Sequence, residues 1–281
     1  MPQIVISTTF REFDGSPNDR MQRRFLYSLK RQTFQDFALV VTVFGEKKVE
    51  KVVRKVLGEK AKIVYDIGSG QYKFSLSKTF MNGVDYGLTN HSRILVDCSS
   101  DIILQNNFLE VVHMRTGSYT AGISHPNIFL ERTSDGEIKY TCGKLNQGID
   151  VRFYSLDLFH NRHVYNILKR FPSYDYGFGI ERILCGIAIK YAKKRCNIFM
   201  ESKVLKEENS RDGQIEIETE FMREGVKKNM PVTERFMKRE RIPQKYVHLQ
   251  EMNRAYGITK SACIYWLCFG REYIEYLVKI R

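Results

Sequence analysis

Two aspartates follow an apolar run in the stretch RILVDCSSDIIL, residues 93–104. The apolar residues 94–96 have the composition of a buried strand, and Asp97 and Asp101 come directly after them. Carboxylates at a strand end can hold Mg²⁺ or a similar cation, because such cations prefer oxygen ligands. They can equally face water in a turn. The spacing is therefore compatible with a metal or phosphate site and with a plain strand end.

The segments around these acids alternate between strand and helix patterns. Apolar, β-branched runs predict strands at Ile4–Ser7, Phe37–Phe44, Ile63–Tyr65 and Ile94–Val96. Apolar residues at helical spacing predict one helix between each successive pair of strands. Helices between consecutive strands indicate an α/β fold whose central sheet is mostly parallel, with its ligand crevice outside the carboxyl ends of the strands. Asp97 would lie at such an end.

The second half of the chain has a less regular pattern. Strands are predicted near 119–124 and 149–154, a hairpin joins Ile128–Leu130 to Ile138–Thr141, and a helix follows the loop PSYDYGFG. This part predicts a mixed sheet. The composition then becomes strongly charged, and we place a domain boundary there. The predicted division is a catalytic domain at 1–203, with halves of about 1–104 and 105–203, and a basic helical extension at 204–281.

Composition limits the class of protein. Of 281 residues 43% are apolar, enough for a large core, and the formal net charge of +13 favours anionic partners. The six cysteines form no CxxC pair and are interpreted as reduced thiols. We find no targeting segment and no run long enough to span a bilayer, so we expect a cytoplasmic protein.

A nucleic-acid-binding protein is the main competing interpretation, because the chain is basic and rich in Tyr and Phe. The sequence has no RNP-type motif, zinc finger or P-loop, and its basic residues are spread along its length. This pattern disfavours nucleic acid as a partner. A protein that keeps the fold without catalysis is a third interpretation.

Several motifs together resemble the nucleotide-sugar-dependent glycosyltransferases of the GT-A fold, most closely the family-2-type group. The helix ending in LYSLKRQTF, followed by DFALVVTVF, is similar to the family's opening. FSLSKTFMNG resembles the helix that precedes its metal-binding strand, and RILVDCSSD stands where the family has Asp-x-Asp. The resemblance covers roughly the first two-thirds of the chain. It implies a GT-A domain with a mainly helical C-terminal extension.

The resemblance also implies a reaction. The expected activity is transfer of a sugar from a nucleotide sugar, of the UDP-sugar type, to a hydroxyl of a glycan, glycoprotein or glycolipid. Inversion at the anomeric carbon is the expected course, and a retaining reaction is the alternative.

For the donor, the resemblance points to the loop after the first strand and to the helix before Asp97. A polar loop at the carboxyl edge can bind a base, and an arginine can bind phosphate through two hydrogen bonds. Asp66, which follows the third predicted strand, can accept from the base or ribose. The candidate donor-binding residues are Thr8, Thr9, Phe10, Arg11, Asp66, Lys78, Asn82, Asp97 and Ser99.

A divalent cation, Mn²⁺ or Mg²⁺, is the expected cofactor, with Asp97 as principal ligand and Asp101 as a second. The chain departs from Asp-x-Asp, because Ser99 replaces the second acid. Without a metal, Lys78, Arg11 or Arg93 could neutralise the leaving diphosphate instead.

Inverting transfer needs a base for the acceptor hydroxyl. The family takes it from a G-x-E-D segment, which here reads Gly179 to Arg182 and contains Glu181. Glu181 is the first candidate, Asp175 the second and Asp150 the third; Glu181 could also be an ordinary acid at a helix start. The candidate acceptor-binding residues are His125, Tyr174, Tyr176 and Phe178.

The C-terminal extension combines basic residues between 222 and 241 with an aromatic helix at 261–280. Such a pair can rest peripherally on an anionic membrane. The aromatic residues can instead pack on the catalytic domain while the charges remain solvated.

Overall fold

The computed structural model describes residues 1–10, 17–43, 48–65, 76–124, 128–132, 138–142, 151–170, 180–198, 201–208, 231, 235, 236 and 238–241. The strands within these ranges are β1 (Ile4–Phe10), β2 (Phe37–Val43), β3 (Ala61–Tyr65), β4 (Ile94–Cys98), β5 (Ile102–Leu104), β6 (Thr120–Ser124), β7 (Ile128–Arg132), β8 (Ile138–Cys142), β9 (Val151–Ser155), β10 (Lys194–Asn197) and β11 (Val204–Glu208).

Helices connect most of these strands. None of those in the described ranges combines the length and the apolar composition needed to cross a bilayer. They are α1 (Pro17–Lys30), α2 (Lys48–Leu57), α3 (Leu76–Thr89), α4 (Phe108–Arg115), α5 (Asp157–His160), α6 (Arg162–Arg170) and α7 (Ile180–Tyr191), with a short 3-10 helix at Gly58–Lys60.

The central sheet has seven strands in the order β10-β6-β9-β4-β1-β2-β3. β1 pairs in parallel with both β2 and β4, whereas β9 runs antiparallel to β4 and β6. The predicted α/β class with a mostly parallel sheet is confirmed. The chain moves outward from β1 to β3 and then returns to the other side of β1. The strand order thus reverses between β1 and β4, the kind of position where open α/β sheets bind ligands.

Helices cover both faces of this sheet, as the alternating pattern predicts. On one face, residues of α3, α5, α6 and α7 pack against apolar residues of β1, β2, β4, β6 and β9. On the other face, residues of α1, α2 and α4 pack against the opposite side chains of β1, β2, β4 and β9. Each central strand is therefore buried on both faces, which explains its continuous apolar run.

A second sheet of four strands has the order β5-β11-β7-β8. β7 and β8 pair antiparallel, so the predicted hairpin is confirmed. β11 pairs with β5 and with β7, although β11 begins at the predicted boundary between residues 203 and 204. The start of the charged segment therefore belongs to a sheet shared with the preceding part, and the division into two domains stays a prediction.

The motif at the end of α1 anchors the chain just beyond Asp101. The Ser28 hydroxyl accepts a hydrogen bond from the Leu104 amide at 3.2 Å. The Gln32 side chain accepts from the Leu109 amide at 2.9 Å and donates to the Gln105 carbonyl at 2.8 Å. Both side chains are buried, so each bond replaces one that the solvent can no longer supply. These contacts hold β5 and the start of α4.

Helix α3 lies unusually close to β1 and β4. A Cβ atom added to Gly83 would come within 2.6 Å of the Ser7 Cβ and 2.9 Å of the Leu95 Cδ1. One turn earlier, the Ser7 hydroxyl donates to the Thr79 carbonyl at 2.7 Å. The Asn-Gly pair of FSLSKTFMNG thus has a packing role, because only glycine allows this approach.

Part of the C-terminal extension docks on α6 and α7. Phe236 is buried in the same core as these helices. Glu240 is 4% exposed, and its carboxylate accepts from Lys190 Nζ at 2.6 Å and from the Tyr191 hydroxyl at 2.9 Å. His163 Nε2 lies 3.0 Å from the same carboxylate. Most of the predicted extension, including the aromatic helix, lies outside the described residues.

Glu240→Gln should lower the free energy of unfolding by about 1–2 kcal/mol at pH 7, because it removes the charge from a buried hydrogen-bonded carboxylate. Burial alone would raise the Glu240 pKa, but Lys190, Tyr191 and His163 outweigh it and lower the pKa to about 2. Because the pKa of Glu240 is lower in the folded protein, its ionised carboxylate stabilises the fold fully above the ordinary pKa of 4.5. This stabilisation is lost as the pH falls towards about 2.

Urea unfolding of the unaltered protein and of Glu240→Gln between pH 7 and pH 3 checks this expectation. The difference in the free energy of unfolding between the two proteins should be constant down to about pH 5 and should become smaller below that pH. Glu110→Gln is the control, because Glu110 is exposed and its carboxylate accepts a hydrogen bond from the exposed Thr33 hydroxyl. A difference that does not change with pH would contradict the assignment to the Glu240 carboxylate.

Candidate functional site

One face of the central sheet changes from apolar to polar at a single end. On the side covered by α3, apolar residues of β1, β2, β4 and β9 lie in the core. In β1, β2 and β4 a polar residue follows each of these apolar residues by two positions. In β9, which runs the other way, the polar residue precedes the apolar one by two positions. The apolar set is Val5, Val40, Leu95 and Tyr154, and the polar set is Ser7, Thr42, Asp97 and Arg152. The polar set lies beside the reversal of strand order between β1 and β4.

Asp97 is held by an arginine on the neighbouring strand. Arg152 is the direct cross-strand partner of Asp97 in the antiparallel pair of β4 and β9. Its Nη1 lies 3.2 Å from Asp97 Oδ2, and the side chains of Arg152 and Asp97 are 11% and 18% exposed. Asp97 is the fourth residue of β4, so the strand runs through it and does not end before it. On its other side, Asp97 is in register with Ser7 of β1.

Asp101 has a basic partner as well. Lys206 Nζ of β11 lies 3.3 Å from Asp101 Oδ2, and the Lys206 side chain is 13% exposed. The Ser99 hydroxyl donates to Asp101 Oδ1. Burial alone would raise the pKa of Asp101, but the charge of Lys206 and the bond from Ser99 outweigh it and lower that pKa below its ordinary value. Asp101 is therefore an ionised carboxylate at neutral pH.

These contacts bear on the predicted metal site. Both carboxylates offered to a cation are already neutralised, Asp97 by Arg152 and Asp101 by Lys206. In the described part of the chain, no three His, Cys, Asp or Glu side chains gather into a group able to hold a metal ion. A divalent cation prefers several oxygen ligands and would have to displace two basic side chains. In this arrangement the residues do not fit a metal ion.

Three other predicted donor-binding residues lie on or near the polar end. Thr9 is half-buried and is in register with Thr42. Asn82 Nδ2 donates to Thr42 Oγ1 at 2.9 Å, which ties α3 to the end of β2. Lys78 is exposed in the first turn of α3. The helix runs back along the sheet, so its first turn lies towards the carboxyl edge of β1 and β4.

Thr8 and Phe10 lie on the opposite face of the sheet. Phe10 is fully buried among residues of that core and packs edge-to-face on Phe25, with 6.2 Å between ring centroids. Thr8 is 1% exposed, and its hydroxyl has no hydrogen-bond partner among the described residues. The structure therefore does not bring these two side chains together with Asp97. Binding a donor through them would require the end of β1 to rearrange.

Of the candidate base and acceptor residues, Glu181 lies within the described ranges. Glu181 is the second residue of α7, at the helix start where the sequence places it. The remaining predicted residues lie outside the described ranges. These are Arg11, Asp66, His125, Asp150, Tyr174, Asp175, Tyr176 and Phe178.

The sequence predictions missed Arg152 and Lys206. Arg152 interrupts the apolar run of β9, and Lys206 lies within β11 between apolar and acidic residues. A charged residue inside a strand that is otherwise buried is a signal of a specific partner, because an unpaired buried charge is strongly unfavourable. That signal was present at Arg152, but its partner depends on the register of β4 and β9.

No protein-family model matches the chain, and a search of curated proteins found no match. Among solved structures, S. aureus TarS in complex with UDP-GlcNAc is similar over 75% of this chain and 60% of that one, at 11% identity and a TM-score of 0.48. A putative nucleotide-diphospho-sugar transferase from Desulfovibrio desulfuricans is similar over 76% and 90% of the two chains, at 13% identity and a TM-score of 0.39.

A cytidylyltransferase from Leptospira borgpetersenii is also similar, over 59% of this chain and 65% of that one, at 14% identity and a TM-score of 0.35. The chain thus spans about three-fifths of the TarS chain it matches. These scores describe a partial likeness of architecture.

Proposed function

We propose that this protein is a GT-A-type glycosyltransferase that moves a sugar from a nucleotide sugar to a hydroxyl of a glycan, glycoprotein or glycolipid. The donor is proposed to be a UDP-sugar, and the reaction to proceed with inversion.

The observation that carries this proposal is the polar end of the α3-covered sheet face. Ser7, Asp97 and Arg152 are register partners on three adjacent strands beside the reversal of strand order, and Thr42 lies two residues further along β2. Ser7 and Thr42 are fully buried beneath α3, whereas the side chains of Asp97 and Arg152 remain 18% and 11% exposed. Crevices at this position of open α/β sheets bind nucleotides. The motifs that resemble the glycosyltransferases surround the same position, because Asn82 and Gly83 of α3 contact Thr42 and approach Ser7. Sequence resemblance and geometry therefore support one site.

The proposed reaction forms one bond and breaks one. The acceptor oxygen bonds to the anomeric carbon from the face opposite the diphosphate, and the bond between that carbon and the phosphate oxygen breaks. The bonding electron pair leaves on the nucleoside diphosphate, and the acceptor proton passes to a base. The protein therefore has to stabilise negative charge on the diphosphate and to accept one proton.

The base is proposed to be Glu181, with Asp175 as the second candidate. Glu181 lies at the amino end of α7, whose residues Ile183 and Leu184 pack in the same core as Leu95 and Tyr154. The helix therefore starts on the sheet face that carries the polar end. Tyr174, Tyr176, Phe178 and His125 remain the proposed acceptor contacts.

Mn²⁺ or Mg²⁺ remains the cofactor predicted from the sequence. The chemistry such an ion would supply is neutralisation of the diphosphate charge. Because the pairs Asp97–Arg152 and Asp101–Lys206 do not fit a metal ion as they stand, we derive no step through it. Peripheral membrane contact through the C-terminal extension likewise remains a prediction.

A thermal-shift screen tests the donor site. UDP, GDP, CDP, TDP and several of their sugars are compared with and without Mn²⁺ and with EDTA. A ligand that binds only the folded state raises its stability, so we expect one nucleotide, UDP, to raise the midpoint. No shift with any nucleotide, together with a salt-dependent shift on RNA or DNA, would contradict the proposal and favour a nucleic-acid-binding protein.

Glu181→Gln should lower kcat by about 10²–10⁴-fold and leave UDP affinity unchanged, because it removes a base without removing a donor contact. Initial rates with the sugar selected by the screen, and UDP titration of the same variant, measure the two effects. Asp175→Asn serves as the comparison variant.

A rate loss in Asp175→Asn with normal rates in Glu181→Gln would move the base to Asp175. The anomeric configuration of the product, followed by proton NMR, reports the course of the reaction. Retention would contradict the inverting proposal, because a retaining reaction does not need such a base.

A further inference from the structure

Arg152 and Lys206 place positive charge where the sequence led us to expect a metal. Their side chains are 11% and 13% exposed, and each contacts one of the two carboxylates proposed as metal ligands. Each of these basic side chains faces the carboxylate of its partner, at 3.2 Å for Arg152 and Asp97 and at 3.3 Å for Lys206 and Asp101. Both positive charges are therefore fixed at the site, with Asp97 and Asp101 as their supports.

The position of Arg152 is set by the register of β9. This strand runs antiparallel to β4, so its first residues lie beside the carboxyl end of β4. Arg152 is the second residue of β9 and shares the polar end of the sheet face with Asp97 and, one strand further, with Ser7. The guanidinium is thus held at the crevice where a donor diphosphate would lie.

Guanidinium chemistry suits this position. An arginine carries five N–H donors in a planar fork that matches phosphate oxygens, so it can bond a carboxylate and a phosphate together. Fixed arginine and lysine side chains can stabilise a charged leaving group in the same way as a metal ion. No proton has to be gained or lost, because arginine is always charged at neutral pH.

We propose that Arg152, oriented by Asp97, binds the diphosphate of the donor and supplies the positive charge otherwise provided by a divalent cation. Lys206, oriented by Asp101, adds a second charge. This inference rests on the proposed glycosyltransferase function and deepens it. As the bond from the anomeric carbon to the phosphate oxygen breaks, the electron pair moves to the diphosphate and is neutralised there by these two side chains. Asp97 and Asp101 are then positioning residues.

The unaltered protein provides the first test. UDP affinity is measured by calorimetry in EDTA, in Mn²⁺ and in Mg²⁺. We expect the three affinities to agree within about threefold, well below the tenfold change that corresponds to a lost strong interaction. Initial rates of transfer in the same buffers should agree similarly. A loss of UDP binding in EDTA that Mn²⁺ restores would overturn the inference and leave the proposed function intact.

Variants of Arg152 provide the second test, with uridine as a probe that lacks phosphate. Arg152→Gln should lower UDP affinity by roughly ten- to a hundredfold and leave uridine affinity unchanged, since only the diphosphate meets the guanidinium. Arg152→Lys should recover part of the loss. Lys206→Met should show a smaller loss with the same selectivity for UDP over uridine. Equal losses for UDP and uridine would overturn the inference.

Folding is controlled by two further variants. The double variant Asp97→Asn/Arg152→Gln removes both charges together and so leaves no unpaired buried charge. It should fold and should still bind uridine but bind UDP weakly. Arg115→Gln breaks another arginine–carboxylate pair, with Glu201, outside the candidate site, and should bind UDP normally. Absence of all nucleotide binding by the unaltered protein would instead overturn the proposed function itself.

Discussion

Asp97→Ala should reduce sugar transfer by at least about a hundredfold in the folded protein, and should also lower the thermal midpoint because it removes the carboxylate that pairs with Arg152. Asp97 is at the carboxyl end of β4 beside the reversal of strand order, and its carboxylate holds Arg152 at 3.2 Å. Removing the carboxylate takes away any direct contact with the donor and also the support of the guanidinium. Transfer rate and thermal midpoint are measured on the same preparation, and near-normal transfer would remove Asp97 from the mechanism.

Asp97→Asn separates the two roles that the carboxylate can have. An asparagine oxygen still accepts a hydrogen bond from Arg152 but is a much poorer ligand for a divalent cation. If Asp97 orients Arg152, we expect this variant to retain more transfer than Asp97→Ala by about tenfold. Equal loss in both variants would favour direct ligation by Asp97. Glu201→Ala, which breaks the exposed pair with Arg115, is the control for loss of an ion pair.

Gly122→Ala should lower the free energy of unfolding by about 3 kcal/mol or more, because the new methyl group overpacks the core. A Cβ atom at Gly122 would lie 2.0 Å and 2.2 Å from two ring atoms of Phe153, which is fully buried. The ring cannot move away without displacing its neighbours on the face shared with α1 and α4. The thermal midpoint should fall by several degrees. UDP affinity should fall too, because a displaced Phe153 would shift its neighbour Arg152, the proposed diphosphate contact.

Gly117→Ala is the matched control for this substitution. A Cβ atom at Gly117 would have Thr120 Oγ1 as its nearest neighbour, at 3.8 Å, which is an ordinary contact. We expect its midpoint to stay within about 1–2 °C of the unaltered protein. Gly122→Ala combined with Phe153→Leu should recover part of the lost stability, since the smaller side chain makes room. No recovery would show that the cost at Gly122 comes from the backbone and not from the ring.

The order of elements in the first half could be predicted from the sequence. Apolar, β-branched runs mark β1, β2 and β4, and helical spacing of apolar residues marks α3, because those periods follow from local geometry alone. The Gly83 position could also be identified as special from the Asn-Gly pair. The reason why glycine is needed there could not be predicted, because the close approach to Ser7 and Leu95 exists only once α3 is packed on the sheet.

The candidate site could be predicted in part. Asp97 was identified because an acid at the end of an apolar strand is visible in the sequence. Arg152 was not, because its contact with Asp97 joins residues 55 positions apart through the register of β4 and β9. No feature of the sequence near either strand distinguishes the observed pairing of β4 and β9 from one shifted by two residues. The same applies to Lys206, which reaches Asp101 across the pair of β5 and β11.

The sequence by itself determined the alternation of strands and helices and the presence of an acid near the carboxyl end of β4, because both depend on residues close together in the chain, although β4 runs through Asp97 where the sequence predicted a strand end before it. Only the tertiary structure decided which face of β1 meets which helices. Alternation puts Ser7 and Thr9 on one face and Thr8 and Phe10 on the other, but the helix connections decide that α3 covers the first and α1 the second. That choice places Ser7 beside Asp97 and Phe10 in the core, because side-chain environment depends on long-range packing.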